Sequence, residues 1–585
     1  MKPDDSPFAT RVAAALDSTP LRLSFFLLLV LAGFWPIFVS PRNGGWSLDW
    51  LFFQFFDEVA RKTILEFHQL PLWNPYFCGG IPQMGNPQTT FLVPTFPLVL
   101  IFGTTFGERL SNLPVMVLGC EGMWRLVRHL GLRRSAALLG ALAFPFFGRT
   151  FAWLFHGQHG LIGFALSGWV LFGYLKGLER PRYLALGAFF LAWQMCFRGI
   201  ETVPGLALGL GVWATLEAAR RWRDEGSARA AIWPLVAALV LGALALGYAG
   251  LRMAPVLETL LRHPRIVDET RARTVSNAFF QVYGLPPTLG GFESPGYCYV
   301  GVTTYLLFVG ALSFARVRRR AWIPLLTAVF FMLMTLGMRG PLSPLYWLHR
   351  LPLLRSLRNP TLWSCPGALF VVLSASYGVD ALDGWLRERG DRIRRLARFA
   401  IPALVLAVGL ELLVQGNLQM VGDHSAFTWQ TPPRVTQEFR QGRGNYFEFP
   451  LWPYLDRGTL SCYDETPFVA SAALRPDLPS EEYLADSDAG ALERVRWSPN
   501  RLELKASLRR PSTVIINQNY DEGWHSSVGD VHSLKGLLAV DLPAGEHSLT
   551  LRMWPRMCTV GLCAMALALL GTLMLWRRPR SRVQR

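Results

Sequence analysis

Apolar runs separated by short polar stretches dominate the chain and set its predicted architecture. A helix of roughly 20 apolar residues spans the hydrocarbon core of a bilayer. Candidate runs occupy 21–40, 89–103, 111–127, 135–155, 161–178, 182–197, 203–219, 230–250, 300–315, 321–338, 361–380, 398–415 and 557–576. Several are shorter than a straight span needs, so their ends are approximate. This pattern predicts a polytopic α-helical membrane protein.

Clusters of Arg and Lys between the runs orient the predicted spans. The clusters lie at 125–134, 176–182, 220–229, 316–320, 387–398 and 577–585. Basic loops stay on the cytoplasmic side, and placing every cluster there favours about 12 transmembrane helices with both termini cytoplasmic. The run 89–103 is then a re-entrant or interfacial segment, because it is short and contains Pro94 and Pro97. The alternative is one further span, with the N-terminus outside.

The same topology divides the chain into parts. These are a cytoplasmic segment 1–20, a transmembrane domain 21–415 with outer loops 41–110 and 251–299, an extracytoplasmic β-rich domain 416–556, a final helix 557–576 and a basic cytoplasmic tail 577–585. No small-residue cleavage site follows the first run, so it is expected to remain as an anchor. Stretches such as "RLELKASL" and "LLAVDL" alternate apolar and polar residues, which predicts a small β-sandwich before the last helix.

The segment after the first span, "SLDWLFFQFFDEVARKTILEFHQ" (47–69), repeats apolar residues at helical spacing. The polar residues fall largely on the opposite side, so we expect an amphipathic helix lying on the outer leaflet. Asp49 lies in its first turn, near the end of the first span. Asp57 and Glu58 are expected to pair with basic residues one turn later.

The next stretch, "QLPLWNPYFCGGIPQMGNPQ" (69–88), is too rich in proline and glycine for a helix. Its prolines fix φ, and Gly79 and Gly80 permit a tight turn. Side chains suited to a sugar ring are Trp73, Asn74, Tyr76, Gln83, Asn86 and Gln88. Amide groups supply donors and acceptors that match ring hydroxyls. We therefore expect a rigid wall over a sugar site; an interfacial plug with aromatic rings at headgroup level is the alternative.

Several motifs together resemble one known family. The stretch 69–88, "HGQHG" (156–160), "RSLRNP" (355–360) and the tail "NQNYDEGWHSSVGD…LPAGEHSLTLRMWP" resemble the bacterial YfhO-like membrane protein family, within the GT-C fold glycosyltransferases. The resemblance runs over nearly the whole chain. The tail departs from the family, which reads closer to "VDG" where this chain has Val528-Gly529-Asp530.

The resemblance implies a glycosyltransferase of the bacterial inner membrane. It would move a sugar from a polyprenyl-phosphate donor to an extracytoplasmic glycan, lipid or polymer acceptor. By position, Asp49 is then the catalytic carboxylate, which accepts the proton of the attacking hydroxyl. The alternative is a first-turn acid that the helix dipole favours.

Other polar residues on the predicted outer side complete the candidate site. His156 and His159 are expected to bind substrate or act as acid–base groups, because HxxH alone lacks further metal ligands. Glu201 is a further substrate-binding candidate, although it has a neighbouring arginine to pair with. Arginine grips oxyanions with a planar fork. The candidates for the carrier phosphate are Arg198, Arg252, Arg339 and Arg358; anionic lipid headgroups are the alternative ligand.

Composition narrows the function classes. The chain is 51% hydrophobic with a net charge of +17, but its arginines cluster between apolar runs, so topology rather than nucleic acid explains the charge. The cysteines form no CxxC pair or metal-ligand spacing. Expected partners are membrane lipids, the lipid-linked sugar and the acceptor. No metal site is assigned, and a divalent cation stays an open cofactor.

The alternative function is a transporter or flippase, or a non-catalytic assembly factor for lipid-linked envelope glycans. A transporter would show internal repeats, and none is visible.

Overall fold

The computed structural model describes residues 16–39, 44–45, 48–198, 202–264, 273–286, 298–351, 360–421, 427–428, 438–444, 446–462, 468–476 and 478–577. Two residues singled out in the sequence, Glu201 and Arg358, lie outside these ranges. Structural statements that follow refer to the described residues.

Helices form over each run that the sequence assigns to a membrane span. They are Thr19–Val39, Thr104–His129, Arg134–Ala143 with Gly148–Phe155, His159–Leu166 (a 3-10 helix) with Ser167–Glu179, Tyr183–Cys196, Val203–Glu225, Ala228–Tyr248, Val302–Ser313, Trp322–Thr335, Ser364–Arg387, Asp391–Val421 and Arg556–Arg577. In the described part of the chain, 7 helical segments are long and apolar enough to cross a membrane, and three shorter apolar helices accompany them. This is a multi-pass membrane protein, and the exact span count stays a prediction.

Small residues allow the helices to pack closely. A Cβ added to Gly173 would lie 2.4 Å from the backbone nitrogen of Gly187, in the next helix. A Cβ on Gly561 would lie 2.3 Å from the carbonyl oxygen of Gly250. Close backbone approach at small residues is a usual source of helix association in membranes. The second contact fixes the final helix, Arg556–Arg577, against the helical domain even though the β-rich domain separates them in sequence.

The basic clusters meet at one end of the helical domain. Arg133 and Arg320 both pair with Asp380, at 3.5 and 3.4 Å. The Nε2 atom of His129 lies 3.7 Å from a carboxylate oxygen of Glu179, which brings the clusters 125–134 and 176–182 together. The other end carries the first loop and the β-rich domain. We call it the β-domain end.

The run 89–103 holds no helix of spanning length. After a series of turns, a seven-residue helix begins two residues after Pro94 and spans Phe96–Phe102. Gly103 follows with φ +80°, and the chain reverses into the helix Thr104–His129. The prolines and the glycine keep the helix short, because proline removes a backbone donor and the positive φ favours glycine.

The predicted β-sandwich is present and consists of two antiparallel sheets. One sheet orders the strands Val531–Leu534, Leu537–Leu542, Ser512–Asn519 and Glu482–Leu484; the other orders Trp524–Ser526, Gly545–Met553, Arg501–Leu508 and Gly490–Ser498. Alternate residues such as Leu502, Leu504 and Ala506 are buried between the sheets. Shorter strands in the described residues are Gly44–Gly45 with Phe427–Thr428, Trp73–Asn74 with Ile81–Pro82, and Arg440–Gly442 with Arg457–Thr459. The helix before this region continues to Val421, beyond the expected boundary at 416.

Candidate functional site

The first-loop helix spans Leu48–Leu65 and is buried over most of its length. Its apolar side packs on Phe77 and on the 3-10 helix Tyr446–Leu455. Its polar side is buried as well, including Gln54 and Asp57. The expectation of a helix lying on the leaflet with one solvated face is therefore wrong. The loops and the β-rich domain fold over the helix, which the amphipathic pattern by itself does not reveal.

Asp49 is half-buried at the start of this helix and is held by the "HGQHG" motif. Its carboxylate accepts a hydrogen bond of 2.9 Å from the side-chain amide of Gln158. The indole of the next residue, Trp50, donates to the carbonyl oxygen of Phe155 at 3.1 Å. Gly157 has φ +75°, and a Cβ there would lie 2.6 Å from the Trp50 backbone. The motif thus needs this glycine for the turn that brings it against the first loop.

The two histidines of the motif lie in different environments. His156 is half-buried, and its pKa is lowered, first by burial and then by the positive charge of Arg149. The negative charge of Asp49 opposes this shift. His159 is fully enclosed and lies 5.6 Å from the ring of Trp50, between ring centres. The structure therefore brings together three candidates from the sequence, namely Asp49, His156 and His159.

A buried polar cluster lies beside Trp50. Asp57, Glu108 and His159 are exposed by only 2%, 2% and 4%, and each offers one ligand atom within 4.8 Å of the others. The Nε2 atom of His159 lies 3.4 Å from a carboxylate oxygen of Glu108. Asp57 accepts a hydrogen bond of 2.6 Å from the hydroxyl of Thr90. Burial raises the pKa of Asp57, and the hydrogen bonds from Thr90 oppose that shift.

Asp57 and Glu108 belong to this cluster, although the sequence makes Asp57 only a weaker candidate that favours ion pairing and does not single out Glu108. The pattern suggested that Asp57 pairs along its own helix, and only Glu58 does so, with Arg61 at 3.4 Å. Glu108 lies in the first turns of the helix Thr104–His129, which reads as a flank of a membrane span. The sequence signal for Glu108 is an ionisable residue at the edge of a predicted membrane span, which by default suggests a functional role.

Arg198 is a phosphate candidate whose charge reaches this cluster. Its positive charge acts on both Asp57 and His159. Its guanidinium carbon lies 3.3 Å from the centre of the Phe53 ring, on the first-loop helix. The residue has φ +67°, in the left-handed region that is unfavourable for a long side chain. Backbone strain of this kind is typical of residues held in place at functional sites.

The two other described phosphate candidates, Arg252 and Arg339, both donate to backbone carbonyl oxygens. Arg252 is buried and donates to the carbonyl oxygens of Met84, Asn86 and Thr89, at 2.6, 2.5 and 3.0 Å. Burial lowers its pKa to about 10. Arg339 is exposed and donates to the carbonyl oxygen of Arg273. The structure therefore assigns Arg252 to bracing the first loop rather than to an open anion site.

The stretch 69–88 packs against the β-rich domain. Trp73 lies edge-on to Trp524, and its indole donates to Gln518 at 2.9 Å. Tyr76 packs against Phe439 and Trp497. This placement differs from the expected open wall, because both rings are buried in an interface and offer no free face to a sugar.

The amides of the stretch serve the same interface or the loop itself. Asn74 accepts a hydrogen bond from the backbone of Tyr76, and Asn86 from that of Gln88. Gln83 donates to the carbonyl oxygen of Phe56 at 2.9 Å. Asn74, Gln83 and Asn86 are fully buried, and Gln88 is partly so. Side chains that match sugar hydroxyls match backbone groups equally well, since the donors and acceptors are the same.

A disulfide between Cys78 and Cys462 closes the interface. Next to it, the amide of Asn519 donates to the carbonyl oxygens of Cys78 and Gly80, at 2.7 and 2.9 Å. The first loop and the β-rich domain are therefore joined covalently and by hydrogen bonds. Both cysteines lie in segments that the sequence predicts to be outside, 41–110 and 416–556, but no local spacing in the sequence pairs them.

A groove of about 710 Å³ lies between the helices Tyr183–Cys196 and Arg556–Arg577. Its lining is largely apolar and includes Leu92 and Cys196. At the other end, Arg182 lies 5.7 Å from the ring centre of Trp576. Because Cys196 is two residues from Arg198, one end of the groove approaches the polar site.

No family model and no curated protein matches this chain. Among solved structures it is similar to the arabinofuranosyltransferase AftD from Mycobacteria, with TM-score 0.40 and 18% identity over 68% of this chain. It is also similar to the Archaeoglobus fulgidus oligosaccharyltransferase in the apo form, with TM-score 0.42 and 10% identity over 77%. The archaeal oligosaccharyltransferase AglB from Archaeoglobus fulgidus, in complex with an inhibitory peptide and a dolichol-phosphate, is similar with TM-score 0.40 and 13% identity over 75% of this chain.

The chain spans 27% of AftD and 65% and 64% of the two oligosaccharyltransferase chains. All these proteins are glycosyltransferases by name. The scores are low, and the resemblance of the motifs to the YfhO-like family stays a prediction.

Proposed function

We propose that this protein is a membrane glycosyltransferase of the GT-C type, with Asp49 as its catalytic base. It moves a sugar from a polyprenyl-phosphate donor to an extracytoplasmic glycan, lipid or polymer acceptor. The observation that carries the proposal is the placement of Asp49. This half-buried carboxylate accepts a hydrogen bond from Gln158 at the β-domain end, and its charge acts on His156. A carboxylate that is both held and accessible suits proton abstraction from a hydroxyl.

In the proposed reaction, Asp49 takes the proton of the acceptor hydroxyl as its oxygen bonds to the anomeric carbon of the sugar. The bond between that carbon and the phosphate oxygen breaks, and the electron pair leaves with the carrier phosphate. In this proposal the guanidinium of Arg198 stabilises the leaving oxyanion. Arg358, outside the described residues, remains a second candidate for the same role.

The disulfide supports an extracytoplasmic location for the site. Disulfides persist in oxidising compartments such as the bacterial periplasm and are rare in the cytosol. Cys78 and Cys462 lie at the β-domain end, and the basic clusters lie at the other end. Both features support the orientation expected from the charge of the loops, with the clusters in the cytoplasm.

The apolar groove supports a lipid-linked donor. We place the isoprenoid tail of the carrier between the helices Tyr183–Cys196 and Arg556–Arg577, where the lining is largely apolar. The end at Cys196 would bring the carrier phosphate toward Arg198. A tail bound there stays in a hydrocarbon-like environment while its headgroup reaches polar side chains.

The test is sugar transfer by the purified full-length protein in lipid. Asp49→Asn keeps the size of the side chain and can still accept a hydrogen bond from Gln158, but it cannot take a proton. Turnover should fall by about a hundredfold or more, with donor binding and melting temperature near those of the wild type. Asp530→Asn, which changes an exposed acid of the β-rich domain in the same way, is the matched control and should transfer normally.

Full activity of Asp49→Asn would contradict the base role. Loss of activity in both variants would indicate general damage rather than chemistry. Movement of the intact lipid-linked glycan across the bilayer, unchanged in Asp49→Asn, would favour the transporter instead. A purified protein that binds donor but neither transfers nor moves it would favour an assembly factor.

A further inference from the structure

We propose that Asp57, Glu108 and His159 bind one divalent metal ion, with Mn²⁺ a suitable occupant. Two carboxylates and one imidazole form a mixed oxygen and nitrogen ligand set that fits a first-row divalent ion. The inference goes beyond glycosyl transfer and does not depend on it, because metal binding is measured without any substrate.

Three separate segments bring the ligands to one point. Asp57 comes from the first-loop helix Leu48–Leu65, Glu108 from the helix Thr104–His129, and His159 from the turn after "HGQ". Their ligand atoms all lie within 4.8 Å of one another. Metal–ligand bonds of about 2.1 Å place the ligand atoms of one ion roughly 3–4 Å apart. A small adjustment of side chains is therefore enough to close the site around an ion.

Unsatisfied polar atoms point to a missing ligand. Both carboxylate oxygens of Glu108 and both ring nitrogens of His159 are fully buried and make no well-aligned hydrogen bond to the described residues. The side-chain amide of Gln54, three residues before Asp57 on the same helix, is buried and unsatisfied in the same way. A buried polar group without a hydrogen-bond partner or ligand reduces the free energy of unfolding. A metal ion satisfies carboxylate and imidazole lone pairs at once.

The competing explanation is a proton shared by the two carboxylates. Buried acids close together often retain one proton, and the charges of Arg198 and Arg109 also act on the cluster. A shared proton accounts for Asp57 and Glu108, but it leaves both ring nitrogens of His159 without a well-aligned hydrogen bond to the described residues. Glu108→Gln separates the two explanations, since glutamine imitates the protonated acid and is a weak metal ligand.

The experiment uses the full-length protein in lipid nanodiscs after treatment with a chelator. Mn²⁺ is titrated in, and bound ion is measured by the loss of the free-ion signal in electron paramagnetic resonance. The wild type should bind one equivalent. Asp57→Asn, Glu108→Gln and His159→Gln should each weaken binding by at least about a hundredfold. Even the loss of a group that only hydrogen-bonds to a metal ligand costs about 10–100-fold in affinity.

Asp49→Asn is the matched control, because it changes an acid on the same helix that lies outside the cluster. It should bind Mn²⁺ as the wild type does, even if it has lost transfer activity. This combination keeps the metal site separate from the catalytic proposal, since either can fail without the other.

Absence of stoichiometric Mn²⁺ binding by the wild type would overturn the proposal without reference to any variant. So would binding that survives in folded His159→Gln and Glu108→Gln proteins, because the ion would then lie elsewhere. If a variant is not monodisperse, the titration of the wild type is repeated with Zn²⁺ as a competitor. One equivalent of Zn²⁺ should displace the bound Mn²⁺. Mn²⁺ that stays bound would contradict a single shared site.

Discussion

Cys78 in the first loop and Cys462 ahead of the β-sandwich form a disulfide across 384 positions of sequence. Around it, Asn519 donates to backbone carbonyls of the loop, and Trp73 packs on Trp524. The covalent bond therefore lies inside an interface that is also packed and hydrogen-bonded. The candidate site beneath the loop depends on this interface, because the first-loop helix lies between the β-rich domain and the membrane helices.

The first prediction concerns this bond. Replacing both cysteines, as Cys78→Ser with Cys462→Ser, should destabilise the docked loop by about 2–4 kcal/mol, because a cross-link restricts the unfolded chain. The measurement is thermal unfolding of the purified protein, with and without reductant. The wild type should lose stability on reduction, whereas the double variant should not respond.

The control is Cys563→Ser, which changes an exposed free cysteine on the final helix. It should retain the reductant response. Equal stability of the wild type and the double variant under oxidising conditions would mean that packing alone holds the interface.

The second prediction concerns the turn behind Trp73. Gly80 has φ +103°, and a Cβ there would lie 2.6 Å from the Trp73 ring. Gly80→Ala should therefore cost about 1–3 kcal/mol through backbone strain and steric conflict. Limited proteolysis of the first loop, together with the melting temperature, measures the effect.

Gly242→Ala is the matched control, in the middle of the helix Ala228–Tyr248. Nothing lies within 4 Å of a Cβ there, so alanine should be neutral or stabilising by up to about 1 kcal/mol. If both alanine variants behave alike, the turn is not constrained as the structure indicates.

The third prediction concerns a buried ion pair between the first-loop helix and the segment after Tyr446–Leu455. The ammonium group of Lys62 lies 2.6 Å from the carboxylate of Asp456, and it donates to the carbonyl oxygen of Pro453. Lys62→Met leaves the acid without its charge partner, which should cost about 3 kcal/mol. Thermal unfolding measures the loss.

The double variant, Lys62→Met with Asp456→Asn, should recover part of the stability, since it no longer buries an unpaired charge. Lys505→Met, at an exposed position in the β-sandwich, controls for the loss of a lysine. Additive losses in the double variant would show that the two residues do not act as a pair.

The fourth prediction is a pH dependence in the β-rich domain. Burial raises the pKa of Glu481 from 4.5 to about 7, against hydrogen bonds from Asn517 and Gln441. Since the folded pKa is the higher one, the stability contributed by the protonated form is complete below pH 4.5 and is lost as pH rises through about 7. The wild type should thus lose roughly 1–3 kcal/mol between about pH 5 and about pH 8 through this group.

Glu481→Gln is neutral throughout, so its β-domain melting temperature should change less over that interval. Fluorescence of the β-domain tryptophans during thermal unfolding follows the change. Glu493→Gln, at an exposed position on a neighbouring strand, should keep the wild-type profile. A profile for Glu481→Gln as steep as that of the wild type would assign the pH dependence to another group.

Much of the architecture is determined by the sequence itself. The helices follow the apolar runs, and the strands Arg501–Leu508 and Leu537–Leu542 coincide with stretches that alternate apolar and polar residues. The short helix Phe96–Phe102 follows from its flanking prolines and glycine. These features can be predicted from the sequence because each depends on residues that are close together in the chain. The periodicity of helices and strands and the length of an apolar run are such local properties.

The tertiary structure alone decided which polar residues meet. Asp57, Glu108 and His159 come from three segments, and no spacing in the sequence relates them. Trp73 has the composition of a sugar-stacking residue and nevertheless lies in an interface, because the β-rich domain covers it. Which side chains come together, and which are buried, depends on how elements distant in sequence pack. The local sequence around an aromatic ring or a carboxylate is the same whether the side chain contacts substrate, a metal ion or another part of the protein.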